Sequence, residues 1–280
     1  MMLNIFYVDE LIKTAITEDI NYIDVSADYL IPENQRNDAY FVAKADGVLC
    51  GLDAAMRVFE ILDDTFSYTA YKKDGDEVKK GEVIVDFSGK TACLLKGERT
   101  ALNLIQHMSG IATMTHKAVE LCKGTNAAVT DTRKTLPGLR AIQKYAVVCG
   151  GGKNHRYNLS DGAMLKDNHI DACGGIENAV KTLREKLGHM VKIEVETRNF
   201  DEVKEAVKAG ADIIMLDNMT NKQMAECVKY IGGRAKTEAS GNITLDNIAD
   251  AAKTGVDIIS LGALTHSVKA FDISMKMKKL

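Results

Sequence analysis

Apolar and polar residues alternate with two different periods along the first 92 residues of the chain. Helical spacing of apolar positions predicts a short helix at residues 8–18 and a second at residues 54–62, on either side of the strand-like segment AYFVAKADGVLCG. In the run FSYTAYKKDGDEVKKGEVIVDFSG, the pairs Asp74-Gly75 and Lys80-Gly81 interrupt an alternation of period two, which is typical of antiparallel hairpins. The start of the chain therefore predicts a mixed α+β unit.

A long helix is predicted next, at residues 93–122, where Leu, Ile, Ala and Met dominate. Within it Arg99, Asn103 and Gln106 fall at i, i+4 and i+7, so they share one face of the helix. This polar stripe is either a solvated face or a set of side chains that reaches a binding site, including the site of another subunit.

From residue 127 onward, an apolar strand, a polar strand end and an amphipathic helix repeat along the chain. A spacing of about 20 to 36 residues fits right-handed βα units around a parallel sheet. Six units are fewer than the eight of a full barrel, so we expect an open or incomplete α/β barrel of about six parallel strands, with a doubly wound sheet as the alternative. The expected strands are AAVTD (127–131), GAMLK (162–166), VKIEVE (191–196), ADIIMLD (211–217), KTEAS (236–240) and VDIISLG (256–262).

These patterns divide the chain into two predicted domains. An α+β N-terminal domain covers residues 1–110 and is joined by the C-terminal tail 268–280, and an α/β barrel domain covers residues 111–267. A length of 280 residues with 46% apolar residues is enough to bury both cores.

Composition narrows the functional classes. The net charge is -3 with acidic and basic residues mixed throughout, so neither nucleic acid nor a membrane surface is an expected partner. No apolar run approaches the roughly 18 residues of a membrane span, and the start MMLNIFYVDELIK lacks the features of a signal peptide, so we expect a cytoplasmic protein. The 6 cysteines are scattered singly, which predicts reduced thiols rather than a zinc site or a disulfide framework.

Every predicted barrel strand ends in a polar residue or a glycine. In parallel α/β folds the active site lies at the carboxyl ends of the strands, because the βα loops converge there. The first two units carry Arg133 and Lys134 in DTRKTLPGLR, His155 and Arg156 in GGGKNHRYNL, and Lys166. Clustered cations repel one another unless an anion lies among them, so this wall predicts a multiply charged anionic substrate. A solvated basic loop is the competing interpretation of the GGGKNHRYNL segment.

Carboxylates follow on the next two strands. Glu196 and Asp217 end apolar strands opposite the cationic wall, where they could bind Mg²⁺, hold sugar hydroxyls or stabilise positive charge developing on a sugar. Asp217 could instead be a plain helix N-cap, and Glu194 shares a strand face with Glu196 and is a rival for its role.

The last two units predict a phosphate site. The segments EASGNI, with Ser240, Gly241 and Asn242, and SLGALTHS, with Gly262, offer small residues and backbone N–H groups at consecutive strand ends. A phosphate cradle, a carboxylate pair able to bind Mg²⁺ and a cationic wall together predict phosphoribosyl transfer to an anionic acceptor.

The motifs GERTALNLIQHMSGIAT, DTRKTLPGLRAIQKYAVVCGGGKNHRYNLSDGAMLKDNH, IEVE, MLDN, EASGNI and ISLGALTHS occur in this order. From about residue 20 to the C-terminus, the chain closely resembles the quinolinate phosphoribosyltransferases, also called carboxylating nicotinate-nucleotide pyrophosphorylases. The resemblance implies an open α/β barrel with a mixed N-terminal domain. It also implies the joining of quinolinate to 5-phosphoribosyl 1-diphosphate with Mg²⁺, giving nicotinate mononucleotide, CO₂ and diphosphate in de novo NAD synthesis.

The resemblance also implies residue roles and a homodimer with sites at its interface, and leaves a higher oligomer open. Lys134 would contact the diphosphate or the reacting centre, and Glu196 and Asp217 the ribose hydroxyls and the metal. Arg99 would come from the neighbouring subunit. The quinolinate carboxylates would be held by Arg133, His155, Arg156 and Lys166 with Arg99, and the 5-phosphate by Ser240, Gly241, Asn242 and Gly262.

Three alternatives remain at this point. Lys134 or Lys166 could form the imine of a Schiff-base aldolase, a relative could use another acceptor such as nicotinate, and a non-catalytic binding protein could retain the same anion site. Arg198 places a further cation near Glu196 for which the sequence offers no role.

Overall fold

A computed structural model describes residues 3–279 of the chain. The helices are α1 Ile5–Asp19, α2 Ala27–Leu30, α3 Leu52–Leu62, α4 Thr91–Leu121, α5 Arg140–Cys149, α6 Asp167–Cys173, α7 Ile176–Lys186, α8 Phe200–Ala209, α9 Asn221–Ile231, α10 Ile248–Ala252 and α11 Ala263–His266. The strands are β1 Arg36–Ala43, β2 Gly47–Val48, β3 Ser67–Ala70, β4 Glu77–Val78, β5 Val83–Lys90, β6 Ala128–Thr130, β7 Ala163–Leu165, β8 Ile193–Thr197, β9 Ile213–Asp217, β10 Lys236–Ser240, β11 Ile258–Ser260 and β12 Ile273–Met277.

The chain forms two compact units. The first comprises Met1–His116, Pro137–Gly151 and Val268–Leu280, and the second comprises Lys117–Leu136 and Gly152–Ser267. The sequence assigns residues 111–116 and the segment Pro137–Gly151 to the barrel domain 111–267, but both belong to the first unit. Helix α5, within Pro137–Gly151, forms hydrogen bonds with other residues of the first unit. Gln143 lies 2.9 Å from His107, and the hydroxyl of Tyr145 donates to Asp74 at 2.9 Å.

The first unit is built on a four-stranded antiparallel sheet in the order β12-β1-β5-β3. Strand β4 does not extend this sheet but pairs with β2 in a separate ladder. The core lies on one face, where the rings of Phe41, Phe59 and Phe87 pack at centroid distances of 5.1–6.3 Å. Both Gly75 and Gly81 adopt positive φ, which explains why the sequence places glycine after Asp74 and after Lys80.

The second unit contains six parallel strands in the order β6-β11-β10-β9-β8-β7. Each pair of neighbours in this order is parallel, and β6 and β7 are the two outer strands. This confirms the predicted open α/β barrel with a mixed N-terminal domain, and excludes a doubly wound order. Between residues 3 and 279, no helix combines the length and apolar character that a membrane span requires.

Period-two alternation gives the barrel strands two faces. In β8, β9 and β10 the apolar residues Val195, Leu216 and Ala239 are fully buried at 0% exposure. The intervening positions point to the other face and carry Glu194, Glu196, Met215, Asp217, Glu238 and Ser240. Charged residues are therefore buried along the inner face of the sheet, and the candidate site is built from these positions.

Candidate active site

A cavity of about 620 Å³ lies at the carboxyl ends of the barrel strands. Its lining includes all the predicted site residues of the barrel apart from Gly262, namely Arg133, Lys134, His155, Arg156, Lys166, Glu196, Asp217, Ser240, Gly241 and Asn242. The strands thus bring residues that are more than a hundred positions apart in the sequence into one space. The predicted set forms a single site within the second unit.

The loop after β6 forms one wall of the cavity. The hydroxyl of Thr132 accepts the amide N–H of Lys134 at 3.0 Å, and the hydroxyl of Thr265 donates to the carbonyl of Lys134 at 2.9 Å. These bonds fix the backbone and leave the side chains for the cavity. The Nε of Arg133 is buried and has no hydrogen-bond partner within residues 3–279. A buried guanidinium N–H without an acceptor is costly, so this wall is built to receive an anion.

Residues 152–156 form a second wall, because Lys153 pairs with the open edge of β6. Its amide donates to the carbonyl of Val129 at 2.8 Å, and a parallel bridge joins Lys153 to Thr130. Asp131 is fully buried and accepts the amide N–H of His155 at 2.9 Å and the side-chain amide of Asn154 at 2.6 Å. The edge of the open barrel therefore delivers His155 and the residue after it to the site.

Arg156 adds a guanidinium to this wall. Its Nη1 donates to the carbonyl of Gly162 at 2.8 Å, which orients the planar group. Burial and the nearby charge of Arg133 lower the pKa of Arg156 from its ordinary value. Two arginines that repel each other across a cavity are stabilised when a planar dianion lies between them.

His155 lies beneath the cavity, where its Nε2 is 3.2 Å from a carboxylate oxygen of Glu194 and 3.5 Å from one of Glu238. Burial alone would lower the pKa of His155, but bonds to these two carboxylates and their charges raise it to about 10. The other ring nitrogen, Nδ1, lies 2.7 Å from the amide of Arg156, a contact that would require a lone pair there. A neutral ring with its proton on Nε2 would satisfy both contacts, whereas an imidazolium would bring a second ring proton against the amide of Arg156.

The carboxylates decide between them. A hydrogen bond between neutral groups contributes roughly 1 kcal/mol net, whereas each bond from a charged donor to a carboxylate contributes roughly 1.5–3 kcal/mol. The charges of two buried carboxylates within 3.5 Å of Nε2 therefore favour the imidazolium, in agreement with the raised pKa of His155. Burial raises the pKa of Glu194, which shows how strongly this layer resists further negative charge.

The carboxylate side of the cavity lies on β8 and β9. Glu196 accepts from the ammonium of Lys166 at 2.5 Å, and Asp217 accepts from the side-chain amide of Asn218 at 2.7 Å. The two strands are neighbours, with Glu196 paired to Met215, two residues before Asp217. Glu194 does not share this position, because it pairs with His155 in the deeper layer. The cavity therefore contains Glu196 rather than its rival.

The turns after β9 and β10 interlock through two asparagines. Asn218 and Asn242 both have positive φ, and the side-chain amide of Asn242 donates to Asn218 Oδ1 at 2.9 Å. Gly241 has φ +90°, and a Cβ there would lie 2.3 Å from Asn218 Oδ1. Consecutive positive-φ residues turn backbone amides towards a common point, which is a typical anion cradle.

Two predicted residues occupy other positions. Gly262 lies next to the wall formed by the loop after β6, because a Cβ there would be 3.0 Å from Lys134 Cδ and from the ring of His266. It thus leaves room for the side chain of Lys134. Arg99 is exposed on α4, in the first unit. In the same stripe, Gln106 donates to the carbonyl of Ile273 at 2.7 Å and so anchors β12.

The sequence did not predict three further residues at the site, Asp131, Asn218 and Glu238. Glu238 carried a signal, since it stands two residues before Ser240 in its strand, as Glu194 does before Glu196. Asn218 carried none beyond its place after a strand end. The structure also gives Arg198 a role, because its amide and guanidinium both donate to Glu202, at 2.7 and 3.2 Å.

Two family models together match nearly the whole chain. The C-terminal domain of quinolinate phosphoribosyl transferase matches residues 111–276, and the N-terminal domain of the same enzyme matches residues 24–109. The chain belongs to the quinolinate phosphoribosyltransferase family.

Individual members of the quinolinate phosphoribosyltransferase family agree with this assignment. The probable nicotinate-nucleotide pyrophosphorylase (carboxylating) of Bacillus subtilis is 47% identical over 273 residues, which are 98% of this chain and 94% of that protein. The chloroplastic nicotinate-nucleotide pyrophosphorylase (carboxylating) of Arabidopsis thaliana is 43% identical over 285 residues, 95% of this chain and 81% of that protein. The solved structure of NadC from Streptococcus pyogenes has a TM-score of 0.97 at 41% identity, covering 100% of this chain and 99% of that one.

Membership in the quinolinate phosphoribosyltransferase family bears on two alternatives from the sequence, the Schiff-base aldolase and the non-catalytic binding protein. The family match covers both domains, so it gives no support to an aldolase or to a binding protein assembled on the barrel alone. Lys166, one of the two aldolase candidates, is held by Glu196 at 2.5 Å as an ion pair, whereas an imine-forming lysine must be a free amine.

The donor set also fits a magnesium ion. Mg²⁺ prefers oxygen ligands and is usually held by one or two carboxylates together with substrate phosphates and water. Glu196 and Asp217 supply two carboxylates on neighbouring strands, and both line the cavity that contains the turn of Gly241 and Asn242.

Proposed function

We propose that this protein transfers the phosphoribosyl group of 5-phosphoribosyl 1-diphosphate to quinolinate with loss of CO₂, giving nicotinate mononucleotide and diphosphate for de novo NAD synthesis. The reaction class is that of a carboxylating nicotinate-nucleotide diphosphorylase, a pentosyltransferase. Membership in the family supports the reaction. The observation that carries the acceptor's chemistry is the buried Nε of Arg133, which has no partner within residues 3–279 and so calls for an anionic ligand.

The cationic wall would bind quinolinate. Arg133 and Arg156 suit its two carboxylates, because a guanidinium offers paired donors that match a planar carboxylate. Lys166 is already paired with Glu196, so a carboxylate of the substrate would compete for the same ammonium. His155 would add a positive charge from beneath, and Arg99 of a neighbouring subunit would close the pocket.

The opposite side would bind the phosphoribosyl group. Glu196 and Asp217 would accept hydrogen bonds from the ribose hydroxyls and would hold Mg²⁺, which neutralises charge on the diphosphate when it is bound. The 5-phosphate would lie in the cradle of Ser240, Gly241 and Asn242, with Gly262 contributing at the last strand end. Lys134 would contact the diphosphate, since its side chain passes over Gly262 rather than pairing with a carboxylate.

The chemistry then follows from charge. As the bond from ribose C1 to diphosphate breaks, C1 gains positive charge that Glu196 and Asp217 can stabilise, while Lys134 stabilises the departing anion. The quinolinate nitrogen attacks C1, and the alkylated ring becomes a cationic electron sink. The carboxylate next to that nitrogen then leaves as CO₂, and a proton takes its place on the ring. This sequence needs no nucleophile from the protein, whose arginines hold the dianion in the reacting orientation.

We also propose a homodimer with shared sites, which the exposure of Arg99 on the first unit supports. Mixing Arg99→Ala chains with Glu196→Ala chains should restore partial activity in the heterodimer. Confirmed heterodimers without activity would contradict a shared site. A higher oligomer and a cytoplasmic location are further proposals. Plant relatives are named as chloroplastic or mitochondrial, so family membership does not fix the location.

The test of the reaction uses the purified protein with quinolinate, 5-phosphoribosyl 1-diphosphate and Mg²⁺, with nicotinate mononucleotide followed by chromatography. Nicotinate replaces quinolinate in a parallel reaction, and borohydride is added to a third. We expect product from quinolinate alone and no borohydride adduct. Product from nicotinate alone, or from neither acceptor in a folded protein, would overturn the proposed substrate, and a covalent adduct would overturn the mechanism.

A further inference from the structure

Three ionisable side chains from three different elements meet beneath the substrate cavity. His155 comes from the segment at the open edge of the barrel, Glu194 from β8 and Glu238 from β10. The side chain of His155 is 11% exposed, and those of Glu194 and Glu238 are only 4% and 2% exposed. No other charged cluster among residues 3–279 combines this burial with a position against the site.

This triad forms a floor between two spaces. Above it lies the substrate cavity, which His155 and Glu238 both line. Below it lies a second cavity of about 240 Å³, lined by all three residues of the triad together with Arg156. The ring of His155 contacts the two carboxylates through Nε2 and the amide of Arg156 through Nδ1, and these contacts fix its position.

The charge balance of the triad is unusual. Two carboxylates that are almost fully buried face a single ring nitrogen, at 3.2 and 3.5 Å. Buried carboxylates are strongly disfavoured unless a cation or a hydrogen-bond donor is next to them. The nearest candidates are the ring of His155 and, more distantly, the guanidinium of Arg156. An Nε2 that carried a lone pair would repel both carboxylates, so the triad requires a proton there.

We propose that Glu194 and Glu238 are positioning residues that hold the imidazole of His155 protonated and fixed, so that the floor of the substrate cavity carries a permanent positive charge. One carboxylate would already supply a counter-ion. The second one, on a different strand, removes the freedom of the ring to rotate and keeps the charge on it when the solution is alkaline. The functional part of this inference rests on the proposed binding of quinolinate above the floor.

The groups that face His155 from the surrounding elements act in the same direction or are balanced. Asp131, after β6, accepts the amide N–H of His155 and adds negative charge on that side. The amide N–H of Arg156, 2.7 Å from Nδ1, opposes a second ring proton, which explains why more than one carboxylate is needed to keep the ring charged. The expected outcome is a histidine that stays protonated across the physiological pH range and titrates at a lower pH when a carboxylate is removed.

The first experiment measures the protonation of His155 directly, in the full-length protein without substrate. The protein is labelled with ¹³C and ¹⁵N histidine, and a His155→Asn variant identifies the signal among the 6 histidines. We expect His155 to titrate above about pH 9 in the wild type, and at least one pH unit lower, roughly a tenfold weaker proton affinity, in Glu238→Gln and in Glu194→Gln. Glu185→Gln, an exposed residue of α7, is the matched control and should change nothing.

A wild-type His155 that titrates near its ordinary value, or one that is unaffected by either substitution, would overturn the proposal. So would a metal ion retained in stoichiometric amount by the protein as purified and released on loss of Glu238, because the metal would then occupy Nε2 in place of the proton. The glutamine variants keep the size of the side chain, and each single variant answers the question by itself if the other does not fold.

The second experiment asks whether the charge serves substrate binding. In Glu238→Gln, the KM for quinolinate should stay near the wild-type value at pH 6, where His155 is protonated. It should rise about tenfold once the pH exceeds the pKa measured for His155 in that variant by one unit, while kcat changes less than about twofold. In a His155→Asn background the same substitution should have no further effect on KM. A pH-independent loss, or effects that add in the double variant, would indicate a merely structural role. If the titration behaves as expected but quinolinate is not turned over, the proposed function fails and the triad assignment stands.

Discussion

Replacing Arg133 with methionine should stabilise the ligand-free protein and abolish binding of the acceptor. The Nε of Arg133 is buried without a hydrogen-bond partner within residues 3–279, a defect that costs roughly 1–3 kcal/mol. The charge of Arg133 also acts on neighbouring Arg156. Methionine keeps the apolar stem and removes both penalties. We therefore expect the free energy of unfolding to rise by about 1 kcal/mol and Tm by roughly 2–4 °C.

The same substitution removes the donors that would hold a carboxylate of quinolinate. Two charge-assisted hydrogen bonds contribute roughly 1.5–3 kcal/mol each, so kcat/KM should fall by about two to four orders of magnitude. Quinolinate at about 100 times its Kd should stabilise the wild type by roughly 2.7 kcal/mol, and the variant hardly at all. Urea unfolding with and without quinolinate measures both effects in one series.

Arg184→Met is the matched control, because Arg184 is paired. Its Nη2 donates to Asp212 at 2.5 Å and to the carbonyl of Gly210 at 3.0 Å. With a side chain 40% exposed, its removal should cost at most about 1 kcal/mol of stability and leave quinolinate binding unchanged. Two results would contradict the proposed role of Arg133. One is a larger loss of stability in ligand-free Arg133→Met than in Arg184→Met, and the other is stabilisation of Arg133→Met by quinolinate.

Three further outcomes are expected. Gly241→Ala should raise the KM for 5-phosphoribosyl 1-diphosphate at least tenfold, since its Cβ would lie 2.3 Å from Asn218 Oδ1, whereas Gly233→Ala, also at positive φ but with open space around it, should affect stability alone. Glu196→Gln should raise the Mg²⁺ concentration for half-maximal activity with a change in stability below about 1 kcal/mol, and an unchanged Mg²⁺ dependence would count against a ligand role. Burial would raise the pKa of Asp212, but its bonds to Ile193 and to two basic side chains lower it below the ordinary value. Asp212→Asn should therefore be less stable than wild type above about pH 5 in urea titrations, with the difference disappearing as the pH falls below about 3.

The sequence predicts the architecture of the barrel well because period-two strands and their polar ends are local features. The strand at residues 236–240 has the predicted bounds, and β8 extends one residue further than predicted, to Thr197. Glycine signals are equally local, as positive φ at Gly75 and Gly81 shows. What local patterns cannot supply is the partner of each strand, and β4 pairs with β2 because register and packing decide that pairing.

The candidate site likewise combines features that the sequence predicts with features that depend on non-local contacts. The identity of Glu196 and Asp217 as strand-end carboxylates follows from the sequence, but the distinction between Glu194 and Glu196 does not, since both point to the same face. Their roles separate only when the segment at the open edge brings His155 against β8. The assignment of α5 to the first unit is likewise set by non-local contacts, from Gln143 to His107 in particular.

The inward-facing residues form two layers, two positions apart on each strand. These layers explain how one small barrel accommodates several buried charged side chains. The deeper layer, with Glu194 and Glu238, contacts His155 and is nearly sealed from water. The upper layer, with Glu196 and Ser240, lines the cavity and meets the ligand. The Nε of Arg133 has no hydrogen-bond partner within residues 3–279, so the free energy of this unmet hydrogen bond is available for the anion that binds.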